Sequence, residues 1–139
     1  MQVDYHDAHN RHWDDAEHLF DDSRWANADQ LYGLSAECGL KRLMMAFGMN
    51  IDTTTGSPTE KKDWVHANKA WQRYESYRAG HYHGAKYSLP ANDPFINWDV
   101  SQRYANRSNF DQALAESHKQ GANAVRSLVN QAILEGIVT

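Results

Sequence analysis

The sequence predicts an all-α fold: a four- to five-helix up-and-down bundle in a single domain spanning residues 1–139. Three observations carry that expectation. Apolar residues recur at three- and four-residue spacings through four long segments. No segment alternates apolar and polar residues in the two-residue period of a half-buried strand. Helix-starting and helix-stopping residues punctuate the segments at the places where connections are needed. A chain of 139 residues with an apolar fraction of 41% is long enough to bury one core.

The first helix is expected over about residues 6–22, with Trp13, Ala16, Leu19 and Phe20 on one stripe and Asp4 as its cap. Acids in its opening turn suit the positive end of the helix dipole. A second helix is expected from Arg24 to Phe47, capped by Ser23. Its apolar residues leave little polar face, which makes it the central, most buried helix. Gly48 and Asn50 stop it. In the next segment, Ser57, Pro58 and Glu60 read as a capping box that opens a third helix running to Ala79, with Gly80 as its stop. That helix is expected to bury Trp64, Val65, Trp71 and Tyr74. Residues 81–98 are irregular, broken by Gly84, Pro90 and Pro94 but rich in aromatic anchors. The last helix is expected to start at Ser108, with Asp111 in the capping-box position, and to end at Gly136. Gly121 in its middle weakens it by about 1 kcal/mol relative to alanine, which a close helix–helix approach would justify.

Composition narrows the function classes. A single cysteine, Cys38, excludes an internal disulfide and a multi-cysteine zinc site. No apolar stretch reaches the roughly 20 residues that cross a bilayer. The polar, acidic N-terminus is unlike a secretory signal. A cytoplasmic protein with no membrane association is expected. Net charge is −4, unevenly spread: residues 1–22 hold seven acids against Arg11, whereas residues 61–87 hold six bases against two acids. A chain that is not basic as a whole is a poor general duplex binder, but its basic middle segment suits local phosphate contacts.

Candidate site residues follow from chemistry and spacing. Eight histidines invite a metal reading, with His6, His9, His12, His66, His81, His83 and His118 as conceivable ligands of a metal-dependent helical hydrolase. No H-E-x-x-H or E-x-x-H pair occurs, so no metal and no other cofactor is expected. Cys38 sits on the stripe of the central helix, where a small buried hydrophobe is expected. Arg78 and His83 lie five apart where the third helix gives way to the irregular segment. An arginine can hold a phosphate through two parallel hydrogen bonds, and a histidine can move protons near neutral pH; metal-free RNA cleavage needs both. Glu37, Lys41 and Arg42 on the central helix, the first two four apart, read as one side of a polar seam. Arg103 is expected to pair with an acid such as Glu37, with Tyr104 packing beside it; the seam could also touch a ligand.

At this point the chain resembles a known family. "AEHLFDDSRWANADQLYGLSAECGLKRLM" is similar to the first helical hairpin of HEPN domains, with Ala36-Glu37-Cys38-Gly39-Leu40-Lys41 standing where that family often carries A-E-C-x-L-K. "FINWDVSQRY" is similar to a later family segment in which tryptophan precedes Arg-Tyr. The resemblance covers nearly all of the chain. It implies a four- to five-helix bundle that often forms a homodimer. It also implies work in RNA- or nucleotide-linked systems such as toxin–antitoxin pairs, phage defence or RNA processing. Many members are metal-independent endoribonucleases whose motif is arginine, four to six residues, then histidine; Arg78 and His83 meet that spacing. Ala79 follows the arginine where a polar residue is usual, and Gly80 ends the helix. A second reading is therefore a non-catalytic module that binds a nucleotide, or a partner such as a nucleotidyltransferase or antitoxin, through the aromatic segment 81–98.

Overall fold

The computed structural model describes all of residues 1–139 and contains four α-helices and no β-strand. They are α1 (Tyr5–Asp21), α2 (Trp25–Ala46), α3 (Ala67–Ala79) and α4 (Gln112–Leu134). Asp4 caps α1 by accepting from the Asp7 amide at 3.0 Å, as its position foretold. α2 is the hub: α1, α3 and α4 all pack against it. It buries Ala28, Tyr32, Ala36, Leu40, Leu43 and Met44 completely. No helix is long and apolar enough to cross a membrane.

Small residues set how closely the helices approach. A Cβ on Gly39 would lie 2.7 Å from both the His9 ring and Val125, so α1 and α4 crowd α2 at that point. His9 of α1 is fully buried there and donates from Nδ1 to the Ser35 carbonyl at 2.7 Å, while the Ser35 hydroxyl donates back to the His9 carbonyl at 2.9 Å. Burial holds the His9 pKa below its usual value, so the imidazole is neutral in the folded protein. Gly33 admits the Trp98 indole, 2.1 Å from where its Cβ would stand. Gly121 does allow a close approach, but of a loop and not of a helix: its absent side chain leaves room for Pro94 and Phe95.

Three boundaries differ from the sequence expectation. Ser23 does not cap α2; it takes φ +59° in the turn after α1, and Arg24 occupies the capping position without a side-chain hydrogen bond. Ser57, Pro58 and Glu60 do not open α3. Pro58 pairs across an isolated antiparallel bridge with Ile51, Glu60 pairs with Lys62, and only a short 3-10 turn, Lys61–Asp63, precedes α3. The loop closes on itself because Asp52 accepts from the Thr54 and Thr55 amides at 2.8 Å each, which competes with helix formation. Trp64 consequently lies outside the helix, 62% exposed, its indole donating to the Pro58 carbonyl. Asp111, not Ser108, caps α4, accepting from the Leu114 amide at 2.9 Å; Ser108 belongs to a 3-10 turn, Arg107–Asn109.

Candidate functional site

Arg78 occupies the last turn of α3 and its guanidinium is fully engaged. Nε donates to Glu75 Oε2 at 2.9 Å, Nη2 reaches the same oxygen, and Nη1 donates to the Gly84 carbonyl at 3.2 Å. The i, i+3 spacing of Glu75 and Arg78 puts the pair on one helix face. Gly84 is buried against the chain it closes on: a Cβ there would stand 1.8 Å from the Arg78 carbonyl oxygen. The turn from 78 to 84 is therefore sealed by a backbone contact and by a side-chain hydrogen bond.

His83 immediately precedes Gly84, whose carbonyl accepts from Arg78, so both candidate residues belong to one closed turn. No direct hydrogen bond joins them. The His83 amide donates to His81 Nδ1 at 3.2 Å. The His81, Tyr82 and His83 rings lie against one another, with centroid distances of 4.6 Å (81–82) and 4.0 Å (82–83). His81 also meets the Phe47 ring at 5.1 Å, which ties the stack to the core, while Tyr82 is 84% exposed.

Arg78 also lines a cleft of about 770 Å³ between α3 and residues 89–96, together with Trp71, Gln72, Glu75, Asp93 and Ile96. Asp93 Oδ1 accepts from the Phe95 amide at 2.8 Å, and Oδ2 is buried without a partner. Burial pushes the Asp93 carboxyl above the usual carboxylate range. The Arg78 guanidinium, the Glu75 carboxylate that pairs with it and the Asp93 carboxyl thus share one cleft.

The polar seam is present without Arg42, which donates to the Thr139 carbonyl at 3.3 Å instead. Glu37 and Lys41 are both buried, with Oε1 and Nζ 3.1 Å apart, and His66 Nδ1 lies 3.2 Å from Glu37 Oε2. The Tyr5 ring lies 5.7 Å from the Lys41 ammonium. Arg103 is not part of the seam. It sits exposed on the 3-10 turn Val100–Tyr104, its guanidinium 4.9 Å from the centroid of the Tyr104 ring, and Tyr104 is 79% exposed instead of packed. That turn docks on Asp29, eight residues before Glu37, which is about 12 Å along the helix axis.

Cys38 lies beside the seam. Burial, with the Glu37 charge adding to it, pushes the thiol up to about 12 from an ordinary 9.0. Its thiolate fraction at neutral pH is then about a thousandfold below that of a free cysteine. Alkylation by iodoacetamide at pH 8 is expected to be slower than that of free cysteine by a similar factor and to accelerate only on unfolding; labelling followed by mass spectrometry checks this.

The sequence reading missed the most completely buried polar network. Asp29 and His118 are both inaccessible. His118 Nδ1 donates to Asp29 Oδ1, because a carboxylate can only accept; Nε2 lies 2.8 Å from the Asn97 side-chain amide oxygen. Gln102 donates to Asp29 Oδ2 at 2.6 Å, the Trp98 indole donates to the Asp29 carbonyl at 3.2 Å, and the Phe95 ring stacks on His118. The signal was available: His118 stands four after Leu114 and three before Gly121, on the buried stripe of α4. No group of three or more histidine, cysteine or acidic side chains comes together in a way that could hold a metal ion.

No protein-family model, no curated protein and no solved structure matches this chain.

Proposed function

We propose that the protein is a HEPN-like, up-and-down helical bundle working in an RNA- or nucleotide-linked system, and that it cleaves RNA without a metal. Toxin–antitoxin, phage-defence and RNA-processing systems are the settings that suit such an activity. One observation carries the reading: Arg78 and His83 share a single closed turn, fixed by the hydrogen bond from Arg78 to the Gly84 carbonyl. In this mechanism Arg78 steadies the scissile phosphate and exchanges its contact with Glu75 for the ligand's oxygens. His83 takes the proton from the 2′-hydroxyl, which then attacks the adjacent phosphorus and expels the 5′-oxygen. A homodimer would bring two such turns together.

Single-stranded RNA given to the purified protein with chelator present is expected to be cut, and His83→Ala is expected to slow cutting by about a hundredfold or more. Arg78→Ala is expected to act similarly. Failure of the wild-type protein to cut, or cutting that survives His83→Ala, removes the enzymatic claim.

The Glu75 carboxylate that occupies Arg78 favours a second reading, a non-catalytic module that binds a nucleotide or a partner such as a nucleotidyltransferase or antitoxin through residues 81–98. Co-purification of a stoichiometric partner with an intact but inactive turn would support it.

A further inference from the structure

A second cleft, of about 360 Å³, opens on the far side of α2's first turn. Its walls include Arg24, Trp25, Arg107 and Phe110, and no acidic side chain lines it. Next to it in the chain stands the exposed pair Arg103 and Tyr104, cation over ring. Six of the fourteen lysine and arginine side chains, Arg11, Lys41, Lys62, Arg73, Arg78 and Lys119, are each matched with a carboxylate. Arg24, Arg103 and Arg107, like Lys61, Lys69 and Lys86, have neither an ion pair nor a side-chain hydrogen bond, and Arg24 and Arg107 line the same cleft. The two acids that flank residues 103–107 along the chain both serve as caps: Asp99 accepts from the Ser101 amide and Asp111 from the Leu114 amide. The acids Asp21 and Asp22 precede Arg24 and mark an edge that a phosphate chain would avoid.

We infer that this strip, Arg24, Trp25, Arg103, Tyr104, Arg107 and Phe110, holds single-stranded RNA, with phosphates on Arg24 and Arg107 and an unstacked base on the Tyr104 face. Unpaired guanidinium groups beside one exposed aromatic ring, Tyr104, and two half-buried ones, Trp25 and Phe110, suit a flexible strand, which needs charges for its phosphates and a platform for a base. Acidic peptides would use the arginines but leave the exposed ring without a purpose. A duplex would keep its bases stacked and out of reach of Tyr104. The inference rests on the RNA-linked reading given above and adds where the strand is held, apart from where it is cut.

Binding tests it independently of cleavage. The full chain carrying His83→Ala is titrated against a fluorescein-labelled single-stranded RNA dodecamer, with chelator, by fluorescence anisotropy over a salt series. Combining Arg24→Ala with Arg107→Ala is expected to weaken binding at least about tenfold and to flatten the logarithmic salt slope by about 1.4, the release expected for two lost phosphate contacts. Tyr104→Ala is expected to weaken binding about tenfold with the slope unchanged. Arg24→Lys with Arg107→Lys is expected to retain the slope. All these side chains are exposed, so the helices are expected to persist in each variant, which circular dichroism checks. Absence of binding, or affinity and slope retained in both alanine variants, overturns the inference. Binding through the strip by a wild-type protein that does not cut supports it while removing the enzymatic claim; cutting with strip-independent binding overturns it alone.

Discussion

Asp29→Ala is expected to destabilise the protein by about 2–3 kcal/mol, the cost of removing one partner from a fully buried hydrogen-bond network and leaving its donors unsatisfied. The Asp29 carboxylate accepts from two side chains on two different elements, His118 of α4 and Gln102 of the 100–104 turn. Without it the buried His118 Nδ1–H has no acceptor, and an unsatisfied donor in a dry core retains its whole desolvation cost. Loss of the Gln102 bond also frees the segment that delivers Trp98 to the pocket left by Gly33. Urea unfolding measures the change, and hydrogen exchange should show residues 97–104 opening first. Asp22→Ala, at an exposed position, is expected to stay within about 0.5 kcal/mol. A loss under 1 kcal/mol in the Asp29 variant would mean that the network is incidental to stability.

Gly84→Ala is expected to open the turn that holds both candidate catalytic residues while leaving Arg78 and His83 chemically intact. The new Cβ would stand 1.8 Å from the Arg78 carbonyl oxygen and 2.7 Å from its carbon. A backbone group cannot swing aside as a side-chain tip can, so the 78–84 closure must separate, at a cost of about 1–3 kcal/mol. The Arg78 bond to the Gly84 carbonyl is lost with it, and on the reading proposed above RNA cleavage falls as far as it does in His83→Ala. Gly80→Ala is the comparison, because its Cβ would meet nothing nearer than 3.8 Å. Thermal melting together with amide exchange at residues 80–86 distinguishes the two. Unchanged exchange in Gly84→Ala would show that the turn does not depend on this contact.

The sequence made the helices legible wherever a single periodic stripe meets a single cap. α1 begins where Asp4 can accept from the Asp7 amide, and α3 ends at Gly80. It misled where two local preferences compete. Ser57-Pro58-x-Glu60 is a sound helix start in isolation, but Asp52 turns the preceding backbone and Pro58 pairs with Ile51 instead. Arg103 was matched to Glu37 on charge alone, because sequence contains no measure of the distance along α2 between the docking point of the 100–104 turn and the seam. Glu37 found nearer partners in Lys41, one helical turn away, and His66, which begins α3.

By itself the sequence determined an all-α protein with one cysteine, no membrane-crossing helix, α2 as its most apolar helix, and an arginine and a histidine five residues apart at the end of α3. Those properties depend on periodicity, composition and short-range spacing, which the chain carries whatever its tertiary contacts. Only the tertiary structure decided that Asp29 and His118, 89 residues apart, bond to each other, that Arg78 is occupied by Glu75 while lining a cleft with Asp93, and that Arg24 and Arg107 border one opening. These meetings depend on how closely helices and loops approach α2 and α4, which Gly39 sets for the helices and Gly33 and Gly121 set for the segment 94–98 by what their missing side chains allow.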